Sequence, residues 1–384
     1  MKQPQNVEAG RNRGLILAGQ IAFLPTGILT TLLGPMLPIL SARWALNDTQ
    51  AGNLFLVQFL AQLAGVQLSG VMLARVGFRP AFLSGLLLMA GGVSTLYLGS
   101  PWLGMVSVAV YGLGLGLIIP TDNLMIAEVS TGSRAAAVSL LNFFWGVGAV
   151  LCALLVAWAQ AHQRLPAFLG SVTLALLLLA VAVRKLPFPG PRESSHAPIQ
   201  WREIVRHPAT WLFALVFFLY PGAETAVGGW IGSYVARMSS HGASMGAMMP
   251  AFFWAALTAG RGVGSLLLHS LPERRVLQGG YGLGAAGIGL LLCSSTLPGV
   301  IASALITGLS FATLYPITVA RLSHRFGLAS RSIGAVMFSI AALGPAALPW
   351  LVGAISHSTG NLRAGLAVPF AATVILFLIH LRDW

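Results

Sequence analysis

Acidic residues are scarce in this chain: nine among 384, against 22 lysines and arginines. Charged residues make up 8% of it, whereas a soluble globule draws roughly a quarter of its residues from those types. A dispersed soluble fold is therefore excluded. Cysteine is nearly absent, and Cys152 and Cys293 both fall inside apolar runs, where they read as packing residues and not as a disulfide. The eight histidines lie in loops or near the ends of those runs, and no Cys/His spacing suits zinc, so neither a metal nor a cofactor is expected. No nucleophile–base pair can be argued either, which speaks against an enzyme.

What is abundant is apolar. Hydrophobic residues make up 56% of the chain and its mean hydropathy is +0.82. Apolar runs long enough to cross roughly 30 Å of hydrocarbon recur along the whole length. The pattern predicts helical spans at 14–40, 50–73, 80–99, 102–128, 134–160, 165–183, 209–236, 247–269, 275–294, 297–320, 332–356 and 363–381. The expected fold is thus an all-α membrane protein with 12 transmembrane helices in the lipid bilayer. The polar start leads into a first span too long for a cleavable signal and without a small-residue cleavage site.

A net charge of +13 would fit a nucleic-acid partner if the basic residues formed one patch, and they do not. With the N-terminus assigned to the cytoplasm, 17 of the 22 basic residues face inward and only Arg43, Arg164, Arg237 and Arg363 lie in outer loops. Arg261 sits within a span. That asymmetry is the positive-inside pattern. It predicts cytoplasmic termini, a cytoplasmic (inner) membrane location and no nucleic-acid partner.

The longest polar stretch, 185–208, carries Pro187, Pro189, Pro191 and Pro198 and reads as a cytoplasmic linker. It separates a six-helix bundle over 1–184 from another over 209–384. An offset of 196 residues brings Pro25 onto Pro221, Gly112 and Pro120 onto Gly308 and Pro316, and Gly148 onto Gly344. One offset across three helix pairs points to two pseudo-symmetric halves. Such parallel repeats hold a small-molecule substrate near the midplane.

The first inner hairpin, Gly70-Val-Met-Leu-Ala74-Arg75-Val-Gly77-Phe-Arg79, resembles the G-x-L-x-D-R-x-G-R-R loop of the major facilitator fold, with Ala74 in place of the acid. The loop after span 8, with Glu273, Arg274 and Arg275, is a poor copy. Further along, Leu33-Gly34-Pro35-Met-Leu-Pro38, Asn142-Phe-Phe-Trp145-Gly-Val-Gly148, Tyr220-Pro-Gly222-Ala-Glu224 and Tyr315-Pro316 resemble the fucose–proton symporter-like branch, including its sodium-dependent glucose transporter-like members. The resemblance implies a monomeric secondary transporter working by alternating access. Its implied substrate is a neutral sugar, a hexose, taken up with H⁺ or Na⁺. The acids of the fucose symporter align with Gly34 and Ile119, so its coupling arrangement does not carry over.

An ionisable group at membrane depth costs about 2.5 to 3.5 kcal/mol or more, which marks Asp122, Glu128 and Glu224 among the nine acids. Glu224 is close to mid-membrane in span 7, with Tyr220 one turn before and Gly228 one turn after, and suits proton pick-up and release. Its other reading is a lone acid paired with Arg261 or capping a backbone break. Asp122, between Thr121 and Asn123, follows the break at Pro120; the three either coordinate a cation or sugar hydroxyl, or satisfy backbone groups that Pro120 releases. Asp122, Glu224 and Asn123 are the expected ion-coupling residues. Glu128 is expected to pair with Arg75 or Arg79 as an inward gate. Arg261 either neutralises an acid as part of gating or bonds helix-end carbonyls.

Sugars present both hydroxyls and C–H faces, so their lining should combine amides and rings. Gln58 and Gln62 share a helix face at i, i+4, and Asn142 and Trp145 at i, i+3. Trp254 occupies the place of Gln58 at the repeat offset, and Tyr220, Trp230 and Tyr315 add rings. Each of these is as readily a packing residue. The literal match Gly282-Leu-Gly284-Ala-Ala-Gly287 to a dinucleotide fingerprint lies inside span 9 and is discarded. An exporter of lipids or amphipathic compounds and a non-transporting membrane sensor are the competing functions.

Overall fold

A computed structural model describes residues 4–130, 133–191, 206, 208–238, 242–326 and 330–382. Most of the expected linker, Arg192–Val205 and His207, lies outside the described residues. Among the described residues every regular element is a helix. That is the membrane solution, because a helix satisfies its own backbone where no water can.

The first expected span divides into α1 (Pro4–Thr31) and α2 (Leu33–Trp44). Then follow α3 (Asp48–Arg75), α4 (Phe78–Thr95), α5 (Pro101–Val129), α6 (Arg134–Ala161) and α7 (Leu165–Val183). Beyond the linker come α8 (Pro208–Met238), α9 (Gly242–Ser270) and α10 (Glu273–Cys293). The tenth expected span is also divided, into α11 (Leu297–Phe311) and α12 (Leu314–Phe326), and α13 (Ser330–Thr359) and α14 (Leu362–Leu381) complete the chain. Both divisions fall shortly before a proline, although Pro25, Pro120, Pro221, Pro345 and Pro349 lie inside continuous helices. Proline lacks the N–H that would bond the carbonyl four residues back. Pro35 therefore leaves Thr31 unserved and Pro316 leaves Ala312 unserved, and each helix stops there.

Ten of the expected spans are long and apolar enough to cross a bilayer, and the other two coincide with α4 and α9. Large apolar side chains such as Leu98, Trp102, Leu178 and Leu378 stand exposed, Trp102 at 75%. A surface this apolar suits lipid and not water. Cys152 is buried, Cys293 is exposed, and both are free thiols.

The chain forms two compact units. The first comprises residues 1–32 and 60–194, the second 33–59 and 195–384, so α3 passes from one to the other at residue 60. In the first unit α1 packs on α6 and α5, while α4 packs on α5 and α7. In the second, α8 packs on α13, α9 and α14, and α11 on α9 and α10.

The repeat is visible in close helix crossings. A Cβ on Gly148 of α6 would lie 2.1 Å from the carbonyl oxygen of Leu24 on α1. A Cβ on Gly344, its partner at the 196 offset, would lie 1.9 Å from that of Phe218 on α8. Only glycine lets these backbones meet.

Candidate functional site

In the first unit α5 runs unbroken through Pro120, where a break was expected, and places Asp122 on its buried side. The residue is fully inaccessible, and neither carboxyl oxygen has a hydrogen-bond partner. Its cradle is Gly19 of α1, where a Cβ would lie 2.4 Å from Oδ1. The Thr121 hydroxyl is likewise buried and unpartnered. Buried polar groups are ordinarily bonded, so an acid left this way demands a reason. Asn123 donates its amide N–H back to the Ile119 carbonyl at 2.9 Å.

The second unit gathers the other acid. The Tyr220 hydroxyl meets Glu224 Oε2 one turn along α8, as the i, i+4 spacing dictates, and lies 2.9 Å from the carbonyl oxygen of Phe311. Tyr315 of α12 stacks on the Tyr220 ring at 6.2 Å between centroids, and Tyr281 of α10 meets it edge-on at 6.5 Å. Arg261 of α9 is near enough for its charge to bear on Glu224, Tyr220 and Tyr315. Thus Tyr220 and Glu224 of α8, Arg261 of α9 and Tyr315 of α12, taken from three separate sequence segments, converge on one spot.

Other expected site residues are placed differently. The Trp230 ring is fully buried, with its N–H donated to the Pro349 carbonyl at 2.9 Å, so its polar edge is spent on packing. Trp254 packs edge-on to Phe253 and against Gly228. Gln58 is inaccessible within the second unit, whereas Gln62, in the first, has a buried oxygen without a partner. Asn142 turns its amide onto the Val138 carbonyl at 2.9 Å, and Trp145 approaches Thr30 Oγ1 at 3.4 Å.

The expected inner ion pair is not formed. Among the described residues neither Arg75 nor Arg79 pairs with Glu128. Arg79 instead donates to the Leu186 carbonyl at 2.8 Å, and Phe188 packs on Phe82 at 5.4 Å. The start of the linker occupies the arginine. Gly77 of the same loop, at φ 88°, lies against the Gly190 backbone, where a Cβ would come within 3.2 Å.

One cluster escaped the sequence reading. Asp48 at the start of α3 accepts from Arg237 and from Ser356, and nearby Trp350 donates to Asn53 at 3.0 Å. A signal was available: Asp48 is the only acid in the outer loops, facing four outer arginines.

Residues 21–349 match the sequence profile of the Major Facilitator Superfamily. An uncharacterized MFS-type transporter of Yersinia pestis is 25% identical over 370 residues, spanning 94% of this chain and 92% of that one. Sodium-dependent glucose transporter 1 of Danio rerio is 23% identical over 380 residues, spanning 86% of this chain and 62% of its own. The solved fucose:proton symporter of Escherichia coli superposes with a TM-score of 0.63 at 17% identity, covering 95% of this chain and 97% of that one. The likeness there is one of fold. With its twelve-span pattern, internal repeat and matched profile, this chain is an integral multi-pass transporter of small molecules and belongs to the Major Facilitator Superfamily.

Proposed function

We propose that this transporter takes up a neutral sugar, a hexose, by alternating access of its two six-helix halves, with entry coupled to H⁺ or Na⁺. The observation that carries coupling is Asp122, sealed against Gly19 with neither oxygen bonded. An unserved buried carboxyl destabilises the fold, so its retention makes sense if it binds and releases a cation during the cycle. Glu224 is the second coupling acid, in the other unit. The sugar is supported by the span 1, 5, 7 and 10 motifs and by likeness to a protein named as a glucose transporter. Each unit offers amides or rings of the kind such a substrate needs: Gln62, Asn142 and Trp145 in the first, Trp254 and Tyr315 in the second. The inward excess of basic residues supports cytoplasmic termini in a cytoplasmic membrane.

Counterflow in reconstituted vesicles tests this reading. Labelled glucose, galactose and fucose are offered with imposed pH or Na⁺ gradients. Exchange of at least one sugar, driven by one gradient, is the expected result. Absence of counterflow with every sugar sinks the substrate, and flux of an amphipathic compound instead would mark an exporter. Glu224→Gln and Asp122→Asn should each lose gradient-driven uptake while exchange survives. If both variants still concentrate substrate, neither acid couples.

A further inference from the structure

The Tyr220 hydroxyl has one hydrogen and two acceptors at hydrogen-bond range, Glu224 Oε2 and the carbonyl oxygen of Phe311. A phenol donates once. A backbone carbonyl can only accept, and so can a carboxylate, so one hydrogen cannot serve both. The two contacts are hydrogen bonds together only when Glu224 carries a proton and donates it to Tyr220 Oη while Tyr220 donates to Phe311; with a carboxylate, Tyr220 donates to Glu224 and the Phe311 carbonyl goes without.

Phe311 is no ordinary acceptor. It is the last residue of α11, where the tenth span breaks before α12 resumes at Leu314. Its carbonyl is among those that a helix end leaves without an intrahelical partner. The Tyr220 side chain, only 4% exposed and held among Tyr281, Phe311 and Tyr315, can turn its O–H but cannot leave.

We infer that Tyr220 transmits the protonation of Glu224 to the break in the tenth span, and that the ion taken at this site is H⁺. This rests on the reading of Glu224 as a coupling acid. With Glu224 protonated, its O–H donates to Tyr220 and Tyr220 donates to Phe311, strapping α8 to the end of α11. When the proton leaves to water, Glu224 becomes a carboxylate and is the stronger acceptor. The Tyr220 hydrogen then swings to it, and the Phe311 carbonyl loses its donor. One proton is lost, no other bond changes, and the break between Phe311 and Leu314 is loosened. The charged and titratable groups bearing on the pair are Arg261 of α9, Tyr281 of α10 and Tyr315 of α12. The Arg261 cation balances the carboxylate in the released state. Tyr220 is in this sense a positioning residue.

The test follows amide hydrogen exchange at residues 312–315 of the reconstituted full chain as a function of pH, each rate divided by the intrinsic exchange rate at that pH, beside infrared detection of the protonated carboxyl. In the wild type, exchange should quicken by about fivefold as Glu224 loses its proton, the factor corresponding to one net hydrogen bond. Glu224→Gln, whose amide can still donate, should hold the slow rate at every pH and remove one carboxyl band. Tyr220→Phe keeps the ring and removes only the hydroxyl; it should show the fast rate at every pH, with the carboxyl band retained but displaced. A pH-dependent rate persisting in Tyr220→Phe, or in Glu224→Gln, overturns the relay. The coupling reading fails separately, if Glu224→Gln loses the pH-dependent exchange yet still concentrates substrate on a gradient.

Discussion

Arg237 at the end of α8 grips Asp48 at the start of α3 through both guanidinium nitrogens, with Nη1 3.0 Å from Oδ2. Ser356 of α13 donates to the same Oδ2 at 2.5 Å, and a Cβ on Gly353 would lie 2.3 Å from the Asp48 carbonyl oxygen. Three helix ends far apart in sequence thus meet within the second unit. The Arg237 side chain is 48% exposed and that of Asp48 14%, so water screens the pair. Its worth should be about 1 kcal/mol, small enough to break and reform during a cycle.

Neutralising either partner, Asp48→Asn or Arg237→Gln, should therefore lower the thermal midpoint of the purified protein by only about 1–2 °C. The exchanged pair Asp48→Arg with Arg237→Asp should recover part of that loss. A thiol-specific, membrane-impermeant reagent applied to Asn53→Cys should label faster in Arg237→Gln than in a background with Arg237 intact. Equal labelling rates would show that the pair does not hold α3 in place.

Asp122 yields a prediction in which stability and function part company. Removing two buried, unbonded oxygens while keeping the γ-branched shape relieves a desolvation penalty of about 1–3 kcal/mol, less the cost of seating two larger methyls against Gly19. Asp122→Leu should accordingly unfold at a higher temperature than the wild type, and gradient-driven uptake should vanish. A less stable variant would mean that Asp122 has a bonded structural role.

How much of this was legible beforehand depends on the kind of signal. The spans follow from hydropathy alone, because a bilayer imposes a fixed length on each helix. The breaks before Pro35 and Pro316 were not legible from proline alone, since Pro25, Pro120, Pro221, Pro345 and Pro349 lie inside continuous helices. Tyr220 and Glu224 share a face by spacing, so their meeting was foreseeable. That Phe311 supplies the second acceptor was not, because it depends on how α8 crosses α11. Asp48 was set aside as a loop acid for the same reason: its partners lie 189 and 308 residues away. Glu128 misled in the opposite direction. Its place at the inner end of the fourth span, on the side of the basic loop, suggested an ion pair, but Arg79 donates to the Leu186 carbonyl.

The paired glycines allow the repeat to be tested as energetics. At Gly148 and Gly344 an added methyl runs into backbone, the Leu24 and Phe218 carbonyls, which cannot rotate away. Gly148→Ala and Gly344→Ala should each cost about 1–3 kcal/mol, by forcing α1 from α6 or α8 from α13. Gly170 of α7 meets nothing within 4 Å. There alanine should be neutral, or stabilising by about 0.5–1 kcal/mol, because it restricts the unfolded chain. Thermal unfolding of the three single variants checks the contrast. Similar midpoints for all three would show that the two crossings are loose enough to absorb a methyl.

The linker gives the last prediction. Arg79 donates to Leu186 and Phe82 packs on Phe188, so the segment entering the linker is tied to the start of α4 by one exposed hydrogen bond and one ring contact. Losing the hydrogen bond should free the tie by about 1 kcal/mol, or roughly fivefold in the population of the detached form. Limited proteolysis within 185–208 should quicken by that factor in Arg79→Ala. Arg79→Lys should recover only part of it, since an ammonium lacks the planar reach of the guanidinium. Glu128→Gln should leave the cleavage rate unchanged, because no ion pair links Glu128 to Arg79. Faster cleavage in Glu128→Gln would mean that the acid does hold the loop, as the inward gate requires.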